Sequence, residues 1–384
     1  MIKRLALFLL SIILLITNTG CWNNRDLAEI SISTALGIDK TEDGKIMVSV
    51  QIVKPSALRV GKEGVNGEKK GFVVVSNTAD TVFGALREML SKVNKKIFYS
   101  SSQVIVIGES MAREGVCDYI DFILRDHETP FKSLVAVAKG ITAKEVLEHG
   151  YELTNVPGAF LRDTLNNVGD RGFSKKVMLI EVARELATQG KELSIGTILK
   201  EGGTTVTEGI AVFAEGKMVG LLDKYESRGF MFAQGLVKST IIEIQDSKQP
   251  EKLVAVEIQK TSATKKVELG SDNKPKFTLN VYVYGTIGEQ HIYTDSENEF
   301  INSITEKCNI KIKNEIQKSI EKTQKEYASD IFGFGQKVFD KYPDYWISVR
   351  DEWNSKIYTK LEVNVVVNTK LMRTGLLDKP IKVK

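Results

Sequence analysis

An apolar segment near the N-terminus stops abruptly at a cysteine. Residues 5–16 are apolar apart from one serine, follow a basic pair, and lead within five residues to Cys21. The segment is too short to cross a hydrocarbon core about 30 Å thick, which takes about 20 helical residues. Its length and its basic flank are typical of an export signal. Because the rest of the sequence has no long apolar run, we expect an exported, water-soluble protein after Cys21.

Cys21 lies where export processing would cut, directly after the small residues Thr19 and Gly20. This arrangement resembles the bacterial lipoprotein signal, in which the cysteine sulfur is lipidated and the cysteine becomes the N-terminus. Asn18 departs from that pattern, which prefers leucine, and the alternative is an ordinary cysteine near a signal-peptidase site. A diacylglycerol group brings two chains, and each buried methylene contributes about 0.8 kcal/mol. We predict a lipoprotein signal peptide over residues 1–20 and lipidation at Cys21.

The next residue, Trp22, is a candidate for contact with the membrane interface. Indole rings prefer the boundary between hydrocarbon and water, and the alternative is that Trp22 packs on the protein itself. The two remaining cysteines, Cys117 and Cys308, lie far apart in the sequence without a disulfide framework around them. We expect two separate buried thiols, although pairing in an oxidising compartment remains the alternative.

Length and charge narrow the class of protein. The chain has 384 residues, of which 27% are charged and 42% hydrophobic, and this suits two or three globular domains. Its formal charge of +4 falls to +2 when the two basic residues of segment 1–20 are removed. Nucleic-acid-binding domains normally carry a strongly basic face. We therefore expect no nucleic-acid partner.

Strands and helices alternate in the first half of the chain. The segment 45–54 alternates apolar and polar residues, and 82–93 has apolar residues at helical spacing. Thr142 and Glu145 form a capping box that predicts the start of a short helix. Alternation of this kind implies a sheet with helices packed on it. We predict an N-terminal α+β region of one or two subdomains over residues 21–200.

The second half reads as paired strands followed by one long helix. Turns at Glu215-Gly216 and at 270–275 predict two hairpins. Ser296 and Glu299 form a capping box before a stripe of apolar residues at a spacing of four, and the helix is expected to end near Gly333 and Gly335. The stripe consists of Phe300, Ile304, Cys308, Ile312, Ile316 and Ile320. The predicted class is a multi-domain α+β protein with mixed or antiparallel sheets, helices packed against them, and a second domain over 201–384.

A search for catalytic and metal-binding patterns finds little. None of the histidines, His127, His149 and His291, has a second histidine three or four residues away, as a zinc site of the HExxH kind requires. The acidic stretch from Asp39 resembles a calcium loop but has Val50 where a bidentate glutamate is needed. We therefore predict no enzyme, no catalytic residue, no metal site, and no cofactor besides a covalent lipid on Cys21.

Five stretches in one order resemble the Ger(x)C spore germination lipoproteins, the C subunits of nutrient germinant receptors. They extend from Cys21 to Gly375, although Ser101 to Gln103 replace a Gly-His pair that members often carry. The stretches are GCWNNRDLAEISISTALGIDK with VSVQIVKPS, QVIVIGESMAREGV, AVFAEGKMVGLLDKYESRGF, QKEYASDIFGFGQKVFDKYPDYW and LEVNVVVNTKLMRTG.

The resemblance implies a lipid-anchored protein on the outer face of the cell membrane or the spore inner membrane. There it would work beside integral-membrane A- and B-type receptor subunits in nutrient-triggered germination. The alternative is an extracytoplasmic solute-binding lipoprotein that captures the nutrient directly, which would need a deep cleft with converging polar groups.

An aromatic segment supplies the candidate contacts with a partner. Phe334, Tyr342, Tyr345 and Trp346 lie within a loop-like stretch, and aromatic side chains often dominate interfaces. The alternative is that these rings cover the domain core against the long helix.

Overall fold

The computed structural model describes residues 2–6, 8, 11, 29–55, 70–125, 131–151, 154–245, 252–290 and 297–373. Within these ranges, no helix combines the length and the apolar character needed to cross a membrane. Strands and helices assemble into two sheets with helices on their faces. The predicted class, α+β with mixed sheets, is confirmed.

The first sheet contains nine of the described strands. Their order is β3-β2-β1-β5-β6-β7-β8-β9, with β4 paired to β1. They are β1 (Ile30–Lys40), β2 (Ile46–Val53), β3 (Phe72–Ala79), β4 (Lys96–Phe98), β5 (Val104–Gly108), β6 (Leu134–Lys139), β7 (Ser194–Glu201), β8 (Thr204–Ala214) and β9 (Lys217–Leu222).

The centre of the first sheet is parallel and its two sides are antiparallel. β1, β5, β6 and β7 run parallel, whereas the pairs β1–β2, β2–β3, β7–β8 and β8–β9 are antiparallel. Central parallel strands are covered on both faces, so they read as unbroken apolar runs. The sequences VIVIG in β5 and LVAVAK in β6 follow this rule.

Helices cover both faces of the first sheet. Four of them share one hydrophobic core with the sheet, and the other two share a second core on its opposite face. The first group is α1 (Val82–Glu88), α2 (Glu109–Glu114), α3 (Cys117–Arg125) and α6 (Leu179–Ala187); the second is α4 (Ala143–Glu148) and α5 (Pro157–Asn166). The predicted capping box is confirmed: Thr142 and Glu145 each bond the other's backbone at the start of α4.

The second sheet consists of the strands β10 (Thr240–Gln245), β11 (Leu253–Leu269), β12 (Pro275–Gln290) and β13 (Val363–Arg373), in that order. β10, β11 and β12 are antiparallel neighbours, and β13 joins β12 in parallel. The helices of this half are α7 (Lys224–Ala233), α8 (Glu297–Lys322), α9 (Phe334–Lys341) and α10 (Pro343–Val349).

The long helix α8 matches the predicted apolar stripe. All six stripe residues, from Phe300 to Ile320, are buried in the core that α8 shares with the second sheet. The predicted end of the helix is wrong, because a π-helical turn at Thr323–Tyr327 follows α8 and Ala328 then adopts a left-handed backbone with φ of 46°. The predicted capping residue Ser296 lies outside the described residues.

The two described cysteines differ in environment. Cys308 lies in the apolar stripe and is fully buried, as expected, and burial raises the pKa of its thiol to about 12. Cys117 is exposed, so the expectation of a second buried thiol is wrong, because this residue opens α3 at the surface. Both thiols are free.

The expected domain boundary at residues 200 and 201 falls inside the β7–β8 hairpin. Hydrogen bonds of the first sheet cross it and continue to Leu222. The division of the chain into a signal peptide and two folding units stays a prediction.

Candidate partner-binding surface

The aromatic segment lies mainly inside the protein. Phe334 has no exposed surface and Trp346 is 4% exposed. The ring of Phe334 lies 4.8 Å from that of Phe277, and Trp346 lies 5.4 Å from Trp353. This corrects the prediction that Phe334 and Trp346 contact a partner, because their side chains form part of the core beside α8, as the alternative proposed.

Tyr342 and Tyr345 are only half-buried against the same core. Burial, together with the nearby charge of Asp272, raises the pKa of Tyr345. Contact of these two tyrosines with a partner stays a prediction.

A buried carboxylate organises this aromatic segment. Asp330 accepts hydrogen bonds from the backbone N–H groups of Gly333 (2.9 Å), Phe334 (3.2 Å) and Gly335 (2.7 Å). It also accepts one from the indole N–H of Trp353 (2.9 Å). Burial raises the pKa of the Asp330 carboxyl, while these donors oppose the rise. Asp330 therefore holds the loop and the start of α9 in place.

A lysine lies close to this carboxylate. Lys265 donates to the backbone oxygen of Phe332 (2.6 Å) and to the Gln234 side chain (2.9 Å). Burial lowers the pKa of Lys265 to about 8, although Asp330 partly offsets the effect. Sequence reasoning missed both Asp330 and Lys265. The available signal was an aspartate followed three and five residues later by glycines, whose N–H groups are accessible to a carboxylate.

The aromatic segment also joins the two halves of the chain. Trp346 donates to Gln189 (3.0 Å), and Asn354 donates to Glu192 (2.7 Å). Gly190 packs so closely on Gly335 that a Cβ atom at Gly190 would overlap its backbone. These contacts make residues 330–354 a structural junction.

The predicted lipidation site Cys21 and the predicted membrane-interface residue Trp22 lie outside the described residues. Their roles stay predictions.

Among the residues that the structure describes, no helix packs on one face of the second sheet. In β12, Phe277, Leu279, Val281 and Val283 point into the core that holds α8 and α9, so the alternate residues point away from it. We call the uncovered side the open sheet face. It comprises Lys260, Ser262, Thr264, Lys266 and Glu268 of β11, Lys276, Thr278, Asn280, Tyr282 and Tyr284 of β12, and Asn364, Val366, Asn368, Lys370 and Met372 of β13.

Two tyrosines lie in the middle of the open sheet face. Tyr282 is 42% exposed and lies between Ser262 and Asn368 of the neighbouring strands. Tyr284 is 43% exposed and lies between two lysines, Lys260 and Lys370. Rigid, amphipathic tyrosines surrounded by polar groups are typical of protein interfaces. Lys260 and Lys370 flank Tyr284, and Glu268 lies further along β11 on the same side, so the face presents charges of both signs around the tyrosines.

The described residues offer little for catalysis or metal binding. No group of three or more His, Cys, Asp or Glu among them is placed to hold a metal ion. A cleft of about 650 Å³ lies along α8. Its buried carboxylate, Glu315, is bonded to Arg228 through two contacts of 2.8 and 2.5 Å, and its Lys311 donates to a backbone oxygen. These charged groups hold the protein together rather than face a ligand.

Comparisons with known proteins cover nearly the whole chain. A family model described as "Spore germination protein N-terminal domain" matches residues 23–199, and one described as "Spore germination B3/ GerAC like, C-terminal" matches residues 208–375. Spore germination protein KC of Bacillus subtilis is 26% identical over all of this chain and 98% of its own length. Spore germination protein B3 of the same organism is 24% identical over 98% of this chain and all of its own length.

A solved structure shows the same fold. The crystal structure of the GerBC protein matches with a TM-score of 0.57 at 19% identity, over 88% of this chain and 96% of that one. With two family models that together span most of the sequence, the chain belongs to the Ger(x)C family of spore germination proteins.

Proposed function

We propose that this chain is a non-enzymatic, lipid-anchored C subunit of a nutrient germinant receptor. In this proposal Cys21 carries the lipid, and the open sheet face binds an integral-membrane A- or B-type subunit. The single observation that carries the contact is the uncovered β12 face, with Tyr282 and Tyr284 exposed at its centre. Family membership supports the role in germination.

The lipid anchor makes a modest interface sufficient. A protein tethered to the membrane meets a membrane-embedded partner at high effective concentration, so weak contacts are enough to hold the pair together. Tyrosine pairs at the centre of such an interface carry much of its binding energy. The chain would then support germination by coupling nutrient binding in its partners to their response, through surface contact.

The test is affinity purification of the tagged full chain from detergent-solubilised membranes of sporulating cells, with mass spectrometry of the proteins recovered. We expect multi-pass partners in fixed proportion to the wild-type chain. The double variant Tyr282→Glu/Tyr284→Glu should reduce their recovery roughly tenfold or more. Both side chains are exposed on the open sheet face, so the variant is expected to fold.

A matched control is Ile310→Glu, which changes a residue 52% exposed on α8, on the helical side of the second sheet. It should leave partner recovery unchanged. Equal recovery with the tyrosine variant and with this control would refute the open sheet face as the contact. Recovery of the wild-type chain alone would weaken the receptor-subunit proposal and favour the solute-binding alternative.

The anchor has its own test. Cys21→Ala should leave folding intact and release the chain from the membrane fraction. A variant that still sediments firmly with membranes would contradict lipidation at Cys21.

A further inference from the structure

The N-terminal end of β1 projects from the first sheet. β5 begins at Val104 opposite Ala35, and β6 begins opposite Val104. The five residues 30–34 therefore extend beyond β5 and β6, by about 17 Å at the usual rise of a strand. β4 pairs with this extension and places Phe98 opposite Ile32.

A second apolar group lies at the same end of the sheet. Ser101 donates to the backbone of Ser33 and Ser133 donates to the backbone of Ser102, each at 2.6 Å, so the segment before β6 is held beside β1. The backbone oxygen of Phe131 in this segment accepts a hydrogen bond of 3.1 Å from the N–H of Ile180.

The side chains here are apolar and unusually exposed. Phe98 is 43% exposed, Phe131 46% and Ile180 38%. Exposed or half-buried lysines lie next to them in the sequence. We call this set, Lys95, Lys96, Phe98, Phe131, Lys132 and Ile180, the β1-end surface. Exposed aromatic rings with adjacent lysines suit the boundary between acyl chains and anionic headgroups.

The short length of chain between Cys21 and β1 indicates what the β1-end surface contacts. Ile30 lies nine positions after Cys21, and the chain between them, even fully extended, reaches at most about 32 Å. By comparison, the 17 residues of β11 span about 55 Å. A lipid at Cys21 therefore keeps the start of β1 near the bilayer, whereas distant parts of the protein lie beyond the tether. This step rests on the proposed lipid anchor.

We propose that the β1-end surface lies on the membrane, with Phe98 and Phe131 in the interfacial layer and the lysines toward anionic headgroups. The folded chain is then held in one orientation, instead of turning freely on its lipid.

The experiment uses the full, lipidated chain reconstituted into vesicles of phosphatidylcholine and phosphatidylglycerol. An environment-sensitive fluorophore is attached at Asn94→Cys, an exposed site beside the β1-end surface, in a Cys117→Ser background. Cys308 is fully buried and does not react in the folded chain. The matched control carries the fluorophore at Tyr282→Cys on the open sheet face.

Flotation with the vesicles reports the anchor, and the fluorophore reports the orientation. We expect floating protein in which the probe at position 94 emits further to the blue. Quenching of this probe by aqueous iodide should be roughly threefold weaker than at position 282. The double variant Phe98→Ser/Phe131→Ser should still float but lose this difference, and circular dichroism checks its fold.

The remaining outcomes overturn the inference in distinguishable ways. A chain that fails to float refutes the lipid anchor and the orientation with it. A floating chain with equal quenching at both positions, or a difference that survives loss of both phenylalanines, refutes the orientation but leaves the anchor standing.

Discussion

Removing the Asp330 carboxylate is expected to be among the most damaging single changes in the second half of the chain. In Asp330→Ala, four buried donors lose their acceptor: the N–H groups of Gly333, Phe334 and Gly335, and the indole of Trp353. An unsatisfied buried donor costs about 1–3 kcal/mol. Even the low estimate for four donors, about 4 kcal/mol, is a large part of the 5–15 kcal/mol typical of a folded protein.

The conservative variant Asp330→Asn separates hydrogen bonding from shape. Oδ1 serves Gly333 and Phe334, and Oδ2 serves Gly335 and Trp353. An amide keeps one oxygen and turns its NH₂ group toward the other pair of donors. Relief of the buried charge, whose pKa is raised by burial, offsets part of the loss. We therefore expect about half the effect of the alanine variant.

Urea unfolding followed by tryptophan fluorescence measures both variants, because the Trp353 indole itself bonds to Asp330. The control is Asp340→Ala, which removes an exposed aspartate of α9 and should change the unfolding free energy by less than about 0.5 kcal/mol. If Asp330→Ala unfolds at the same urea concentration as this control, the proposed role of the carboxylate is refuted.

Two further predictions concern buried contacts of the same half. Gly229→Ala would place a Cβ against the backbone of Glu315 where α7 crosses α8, so we expect the unfolding free energy measured in urea to fall by about 1–3 kcal/mol. The control Gly150→Ala should change it little, because its Cβ would meet open space. Burial lowers the pKa of Lys265 in the folded chain to about 8, from an ordinary value of 10.5. Between pH 8 and pH 10.5 this lysine is therefore protonated more fully in the unfolded chain than in the folded one. The free energy of unfolding should consequently rise with pH across this range, by about 3 kcal/mol. Lys265→Met should remove most of this rise. If the unfolding midpoint of the variant depends on pH as that of the wild-type chain does, the proposed role of Lys265 is contradicted.

Patterns that depend on neighbouring residues in the sequence were predictable. The stripe of α8, the capping box of α4 and the hairpin turn at Glu215-Gly216 all appear as expected. Each is encoded within a few helical turns or one tight turn. The helix α7 was not predicted, because residues 227–233 are all buried and leave no polar face to create a helical period.

Contacts between distant residues were not predictable from local patterns. Asp39 reads as part of an acidic turn, yet its carboxylate accepts hydrogen bonds from the N–H groups of Ala143 (2.7 Å) and Lys144 (2.9 Å) at the start of α4. Burial raises the pKa of Asp39, although these donors oppose the rise. The open sheet face could not be predicted for the same reason. The alternation of β12 indicates two faces, but only the packing of α8 and α9 decides which one stays uncovered.

Because β13 pairs with β12 in parallel, the second sheet cannot be completed until residues 363–373 have been synthesised. The partner of Phe277 is Val363, so a growing chain must emerge through α8, α9 and α10 before the second sheet gains this strand. Until then β12 has one edge of unpaired N–H and C=O groups, which readily recruits strands from other chains. Chains cut short before residue 363 should therefore aggregate or be degraded rather than persist as partly functional subunits.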